Sequence, residues 1–104
     1  MIKPKKLEKG DTIAFVAPSS GLGNLFPERI EKAKEFFISR GYKIKEYATT
    51  RGFFEGSSGT EEDRLEDLHA AFENKEVKAI ICNIGGLSSN DLISKIDYNI
   101  IKNN

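Results

Sequence analysis

The feature that most limits what this chain can fold into is the stretch Val77-Lys78-Ala79-Ile80-Ile81-Cys82-Asn83-Ile84-Gly85-Gly86-Leu87-Ser88-Ser89-Asn90, an apolar run that meets two glycines and then two serines. A run of this length, rich in β-branched residues and stopped by glycine, predicts a strand buried on both faces, as in a parallel sheet. The Ser-Ser-Asn-Asp-Leu-Ile that follows puts small polar side chains where an N-cap is wanted and an acid in the first turn, so a helix is expected to begin near Ser88 or Ser89. Strand, tight glycine turn and helix start form the pattern of a nucleophile elbow. In such a turn the glycines let a substrate approach the main chain closely. Two readings of the serines stay open at this level. One is a plain helix cap; the other is a hydroxyl at Ser89 presented at the carboxyl end of a strand, with the amides of Gly86 and Asn90 available to hold an oxyanion.

The rest of the chain supplies the layers around that strand. Residues 12–17, Thr-Ile-Ala-Phe-Val-Ala, predict a first buried strand ended by Pro18. The loop from Pro18 to Asn24, with Ser19 and Ser20, has the small, flexible composition of a segment that either lines a site or merely connects strand to helix. A helix is expected over 27–40, with Pro27 at its first position and Gly41 as its stop. Its Ile30, Ala33 and Phe37 form the packing face, and Glu31, Lys32, Lys34 and Glu35 face water. The alternation over 42–48 predicts a second, edge-like strand. Residues 49–59 are expected to be loop, and its Phe53 and Phe54 either plug the end of the sheet, the favoured reading, or face a partner. Thr60 and Asp63 have the spacing of a capping box, and Leu65, Leu68, Ala71 and Phe72 continue an apolar face to about residue 73. Leu92, Ile93 and Ile96 predict a short helix, after which the chain runs out to Asn104.

The order β-α-β-α-β-α predicts an α/β fold, a Rossmann-like or flavodoxin-like parallel sheet with flanking helices. Three strands are few for that architecture, so residues 1–104 are expected to be part of a larger domain, and an exposed sheet edge is expected to draw a second copy into a homodimer. Lys+Arg and Asp+Glu number 16 each, so bulk charge favours neither a nucleic acid nor a membrane surface as partner. The single Cys82 cannot close an internal disulfide and is expected to act as a small hydrophobe in its strand, which fits a reducing compartment. No run approaches the length of a membrane span, and Met-Ile-Lys-Pro-Lys-Lys is not the start of a secretory signal; the expectation is a cytoplasmic protein. The acids of 61–67 have no metal-site spacing, and His69, between Leu68 and Ala70, is expected to be structural.

Several segments together resemble a known family. They are Gly10-Asp11-Thr12-Ile13-Ala14-Phe15-Val16-Ala17-Pro18-Ser19-Ser20, Gly41-Tyr42-Lys43-Ile44, Gly59-Thr60-Glu61-Glu62-Asp63-Arg64, Asp67-Leu68-His69-Ala70-Ala71-Phe72, Ala79 through Ser89, and Ile96-Asp97-Tyr98. In this order and spacing they resemble the amino-terminal part of the LD-carboxypeptidase family, serine peptidases that include the microcin C self-immunity proteins. The resemblance implies a Ser-His-Glu triad whose serine is Ser89, with the amides of Gly86 and Asn90 as oxyanion hole, and no cofactor or metal; the composition of the 18–24 loop makes Ser19 and Ser20 the substrate-binding candidates. It places the His and Glu in a carboxy-terminal domain and matches His69 to no catalytic position. Many family members carry Arg before the Gly-Gly pair and Gly before the serine; Ile84 and Ser88 stand there in this chain, and the Ile-Gly-Gly form with Asn90 is more like the immunity-type branch, which usually has Asn where Ser88 stands. The implied substrate is a murein peptide with an L,D bond or a peptidyl or aminoacyl nucleotide. Residues 1–104 alone, without a general base, are expected to be inactive.

Two readings from other classes stand beside it. One is a non-catalytic, dimerising α/β module. The other is a nucleotide-binding flavodoxin-like domain with 18–24 around a phosphate, against which stands the lack of a Gly-x-Gly-x-x-Gly motif or a P-loop lysine.

Overall fold

A computed structural model describes residues 5–18, 21–54, 57–82, 92 and 94–102. Three parallel strands, β1 (Thr12–Val16), β2 (Lys43–Glu46) and β3 (Val77–Cys82), form one sheet in the order β2-β1-β3. Helices lie on both of its faces. Along β1 the period of two sends Ile13 and Phe15 to one face and Ala14 and Val16 to the other. The first pair packs with Ile30, Ala33 and Phe37 of α2 (Pro27–Ser39), where the Phe15 and Phe37 rings meet edge-on at 6.1 Å. The second pair packs with Ala71 of α3 (Glu61–Glu73). Ile13, Ala14, Phe15 and Val16 are all buried, so β1 is the middle of the core.

One expectation is corrected for the described residues: the strand at 77–82, read from its apolar run as buried on both faces, has β1 on one side only, and its Lys78 and Cys82 are exposed. The apolar runs of β1 and β3 look alike in composition, and only the crossover order decides which is flanked on both sides. The thiol of Cys82 is therefore at the surface rather than in the core. A register shift between Thr12 and Ile13 sets Thr12 opposite Val77 but Ile13 opposite Ala79. The extra residue puts Val77 on the same face as Ile80 despite their odd spacing.

The helix ends follow local chemistry. Pro27 sits in the first turn of α2, and Gly41, at φ +95°, takes the left-handed conformation that closes it. Thr60 and Asp63 form the expected capping box, each side chain accepting the other's backbone N–H at 3.1 Å. Two short helices were not expected: α1 (Leu22–Leu25), inside the stretch read as loop, and α4 (Tyr98–Lys102). The second carried a readable signal, since the Asp97 side chain accepts the Asn99 N–H at 3.0 Å and caps it. Phe53 and Phe54 are about half exposed, at 54% and 50%, and do not plug the sheet. Among the described residues no helix is long and apolar enough to cross a membrane.

Lys34 does not simply face water either. It joins Glu46 at 3.2 Å, and Arg51 bonds both Glu46, at 2.6 Å through Nε, and Glu31. Partial burial alone would raise the Glu46 carboxyl, but the hydrogen bonds from Arg51 and Lys34 outweigh it and hold it below the ordinary glutamate range. The sign follows from linkage: a lowered folded value means this stabilisation is whole above the unfolded glutamate value and is lost as pH falls through the folded one. Urea midpoints of the protein should therefore drop more steeply below about pH 5 than those of Glu46→Gln, which has no carboxylate to protonate there. Parallel pH profiles for the two proteins would contradict this.

Candidate functional site

In the order β2-β1-β3 the chain leaves β1 toward one neighbour and returns on its other side, with α2 on one face and α3 on the other. Open α/β sheets hold ligands in the crevice at the carboxyl ends of the two strands where the order reverses, here β1 and β3. Val16 pairs with Cys82 at this end of the sheet, which puts the last described residue of β3 level with the last residue of β1. The chain enters 83–91 from there.

The end of β1 is held by a polar web from the connection after β2. A 3-10 turn at Ala48–Arg51 buries Thr49 and Thr50, and Ser58 is buried beside them. The Thr50 hydroxyl donates to the Phe15 carbonyl at 2.9 Å, and the Ser58 hydroxyl donates to the Ala17 carbonyl. Thr49 Oγ1 accepts the Ala17 N–H at 3.2 Å and itself donates to Asp67 at 2.6 Å, while the Thr49 N–H donates to the same carboxylate oxygen at 2.7 Å. Arg64, buried to 4% exposure, donates through Nη1 to the Pro18 carbonyl at 3.1 Å and through Nε to Gly59 at 3.2 Å. No buried side-chain nitrogen or oxygen among the described residues lacks a hydrogen bond. Among the described residues the ladder ends at Val16, and these side chains bond the backbone groups of the strand end, the Phe15 carbonyl also accepting the Tyr47 N–H at 3.0 Å. The result is a rigid rim.

Sequence reasoning missed this rim. One signal was available: Arg64 lies at helical spacing from Leu68 and Ala71, a cation on the stripe that faces the core. Beside the rim a cavity of 440 Å³ opens between Phe53 and Phe54 on one side and Asp63 and Asp67 on the other.

The site residues named from the sequence, Ser89 with Gly86 and Asn90, and Ser19 with Ser20, lie outside the described residues. His69 is described. Its Nε2 accepts the Asp97 N–H at 2.9 Å, so it has the structural partner expected of it. Among the described residues no group of three His, Cys, Asp or Glu side chains is placed to hold a metal ion.

A parallel sheet between two helical layers, with a polar rim at the carboxyl ends of its strands, defines a three-layer α/β domain of the doubly wound class. The chain belongs to the LD-carboxypeptidase family: the model of the LD-carboxypeptidase N-terminal domain matches residues 13–104. It is 41% identical over 99 residues to "Putative carboxypeptidase YocD" of Bacillus subtilis (strain 168), a match that spans 93% of this chain and 30% of that protein. It is 33% identical over 100 residues to "Probable murein peptide carboxypeptidase" of the same organism, spanning 96% of this chain and 30% of the relative. The solved structure of the microcin C7 self-immunity protein MccF in complex with aspartyl sulfamoyl adenosine superposes with a TM-score of 0.93 at 28% identity, over 100% of this chain and 31% of that one. The chain thus spans about 30% of the length of the relatives it matches.

Proposed function

We propose that residues 1–104 supply the nucleophile-bearing part of a serine peptidase that cleaves L,D-peptide bonds in murein peptides. The observation that carries this reading is the family match over 13–104, which includes the Gly85-Gly86-Leu87-Ser88-Ser89 motif that follows β3 in sequence after two intervening residues. In it Ser89 Oγ attacks the scissile carbonyl, and the amides of Gly86 and Asn90 take the charge that develops on the carbonyl oxygen. One such donor is worth about 3 kcal/mol of barrier. The general base and the acid that orients it come from the family's carboxy-terminal domain, and a serine hydroxyl without a base is a poor nucleophile. His69 has its Nε2 committed to Asp97 and does not serve as that base.

A second substrate, an amide between an amino acid and a nucleotide, is supported by a specific observation. Ile84-Gly85-Gly86 and Asn90 follow the immunity-type pattern, and a structural neighbour holds aspartyl sulfamoyl adenosine.

The test is a chimera in which residues 1–104 replace the matching part of the Bacillus subtilis murein peptide relative. The chimera should release the terminal D-amino acid from an L,D-linked tetrapeptide, whereas the 104-residue chain by itself should not. Turnover of an aminoacyl sulfamoyl adenosine in preference to the tetrapeptide would select the second substrate. A folded chimera inert toward both would overturn the proposal.

A further inference from the structure

The chain comes back from 83–91 at Leu92, which is buried to 1% exposure, and is then fastened to α3 at two points. Lys95 pairs with Glu61 in the first turn of α3, and the Asp97 N–H donates to His69 Nε2 in its third turn at 2.9 Å. Between these points Ile96 N–H closes a turn onto the Leu92 carbonyl at 3.0 Å, and after them Asp97 caps α4. The same helix holds the other rim of the crevice through Asp67 on Thr49 and Arg64 on Pro18. One rigid element therefore sets both the end of β1 and the return of the chain from the Ser89 segment.

We propose that His69 is a positioning residue for the reaction: by accepting the Asp97 N–H at Nε2 it fixes where the chain carrying Ser89 returns to α3. This inference rests on the serine peptidase reading above. Asp97 N is a donor only, so Nε2 must carry its lone pair, and a neutral imidazole then has its proton on Nδ1. His69 is half-buried and touches no part of the reaction itself; it acts through Asp97.

Nitrogen chemical shifts of the His69 ring in the 104-residue chain should report the Nδ1–H tautomer. His69→Leu should speed hydrogen exchange of the Asp97 amide by about tenfold, the loss expected for one hydrogen bond, and His69→Gln, whose amide oxygen has a similar reach, should restore most of the protection. In the chimera, His69→Leu should lower kcat by about tenfold with KM changed by less than about twofold, and His69→Gln should recover activity. An Nε2–H tautomer, or an Asp97 amide indifferent to His69→Leu, would overturn the contact. An unchanged kcat in His69→Leu, alongside an inactive Ser89→Ala control, would overturn the positioning role and leave the peptidase reading standing. Activity that survives in Ser89→Ala would remove that reading itself.

Discussion

Gly52→Ala is expected to lower the melting temperature by about 20 °C, the consequence of a loss of roughly 3–4 kcal/mol in a domain of this size. A methyl group at position 52 would stand 1.9 Å from the Ser58 carbonyl oxygen and 3.1 Å from its carbon, both backbone atoms that cannot rotate aside. The two segments cannot simply part. Residues 49 and 50, just before Gly52, are tied to Ala17 and Phe15, and the Ser58 hydroxyl is tied to Ala17. Moving either side opens a buried hydrogen bond at the end of the central strand, at about 1–3 kcal/mol for each group left unpaired. The backbone at Gly52 is extended, at φ −77°, so the cost is purely one of space. Gly10→Ala is the matched contrast: nothing lies within 4 Å of its added methyl, but its φ of +94° makes it costly by about 1–2 kcal/mol through strain alone. Thermal melts followed by circular dichroism separate the two. A Gly52→Ala protein that melts within a few degrees of Gly10→Ala would mean that the rim is not the rigid structure described.

What could be read from the sequence and what could not divide along a physical line. The stripe of Ile30, Ala33 and Phe37, the capping box at Thr60 and Asp63, and the stop at Gly41 depend on neighbours a few residues apart, and each stands in the structure as expected. The rank of the strands does not depend on neighbours. Thr-Ile-Ala-Phe-Val and Val-Lys-Ala-Ile-Ile-Cys are both apolar, and which is central is decided by crossovers that span tens of residues. The rim is non-local in the same way: Thr50 reaches Phe15 and Ser58 reaches Ala17 across more than thirty positions, and an isolated Thr or Ser in a polar loop announces no such partner. Phe53 and Phe54 misled because aromatics are usually buried, whereas here they flank a cavity. Of the site, the Gly-Gly-x-Ser-Ser pattern was legible as a motif, and the fold adds that β3, which precedes it in sequence, has its last residue paired with the last residue of β1.

Ser89→Ala in the chimera is expected to abolish tetrapeptide hydrolysis, with kcat falling by about 10⁵-fold or more, while Ser88→Ala changes kcat by less than about tenfold. The asymmetry follows from chemistry, since the two hydroxyls are neighbours and equally small. A nucleophile removed from a triad leaves only what binding and the oxyanion donors supply, and the remaining members then have nothing to activate. A hydroxyl that only caps a helix is replaceable at about 1 kcal/mol of stability, which appears in the melting curve and not in the rate. KM for the tetrapeptide should change little in Ser89→Ala, because the substrate still meets the same walls. Steady-state kinetics and melts on the two variants decide between the readings that the serine pair left open. A large rate loss confined to Ser88→Ala, with Ser89→Ala merely less stable, would reverse the assignment and move the attacking oxygen one residue back along the chain.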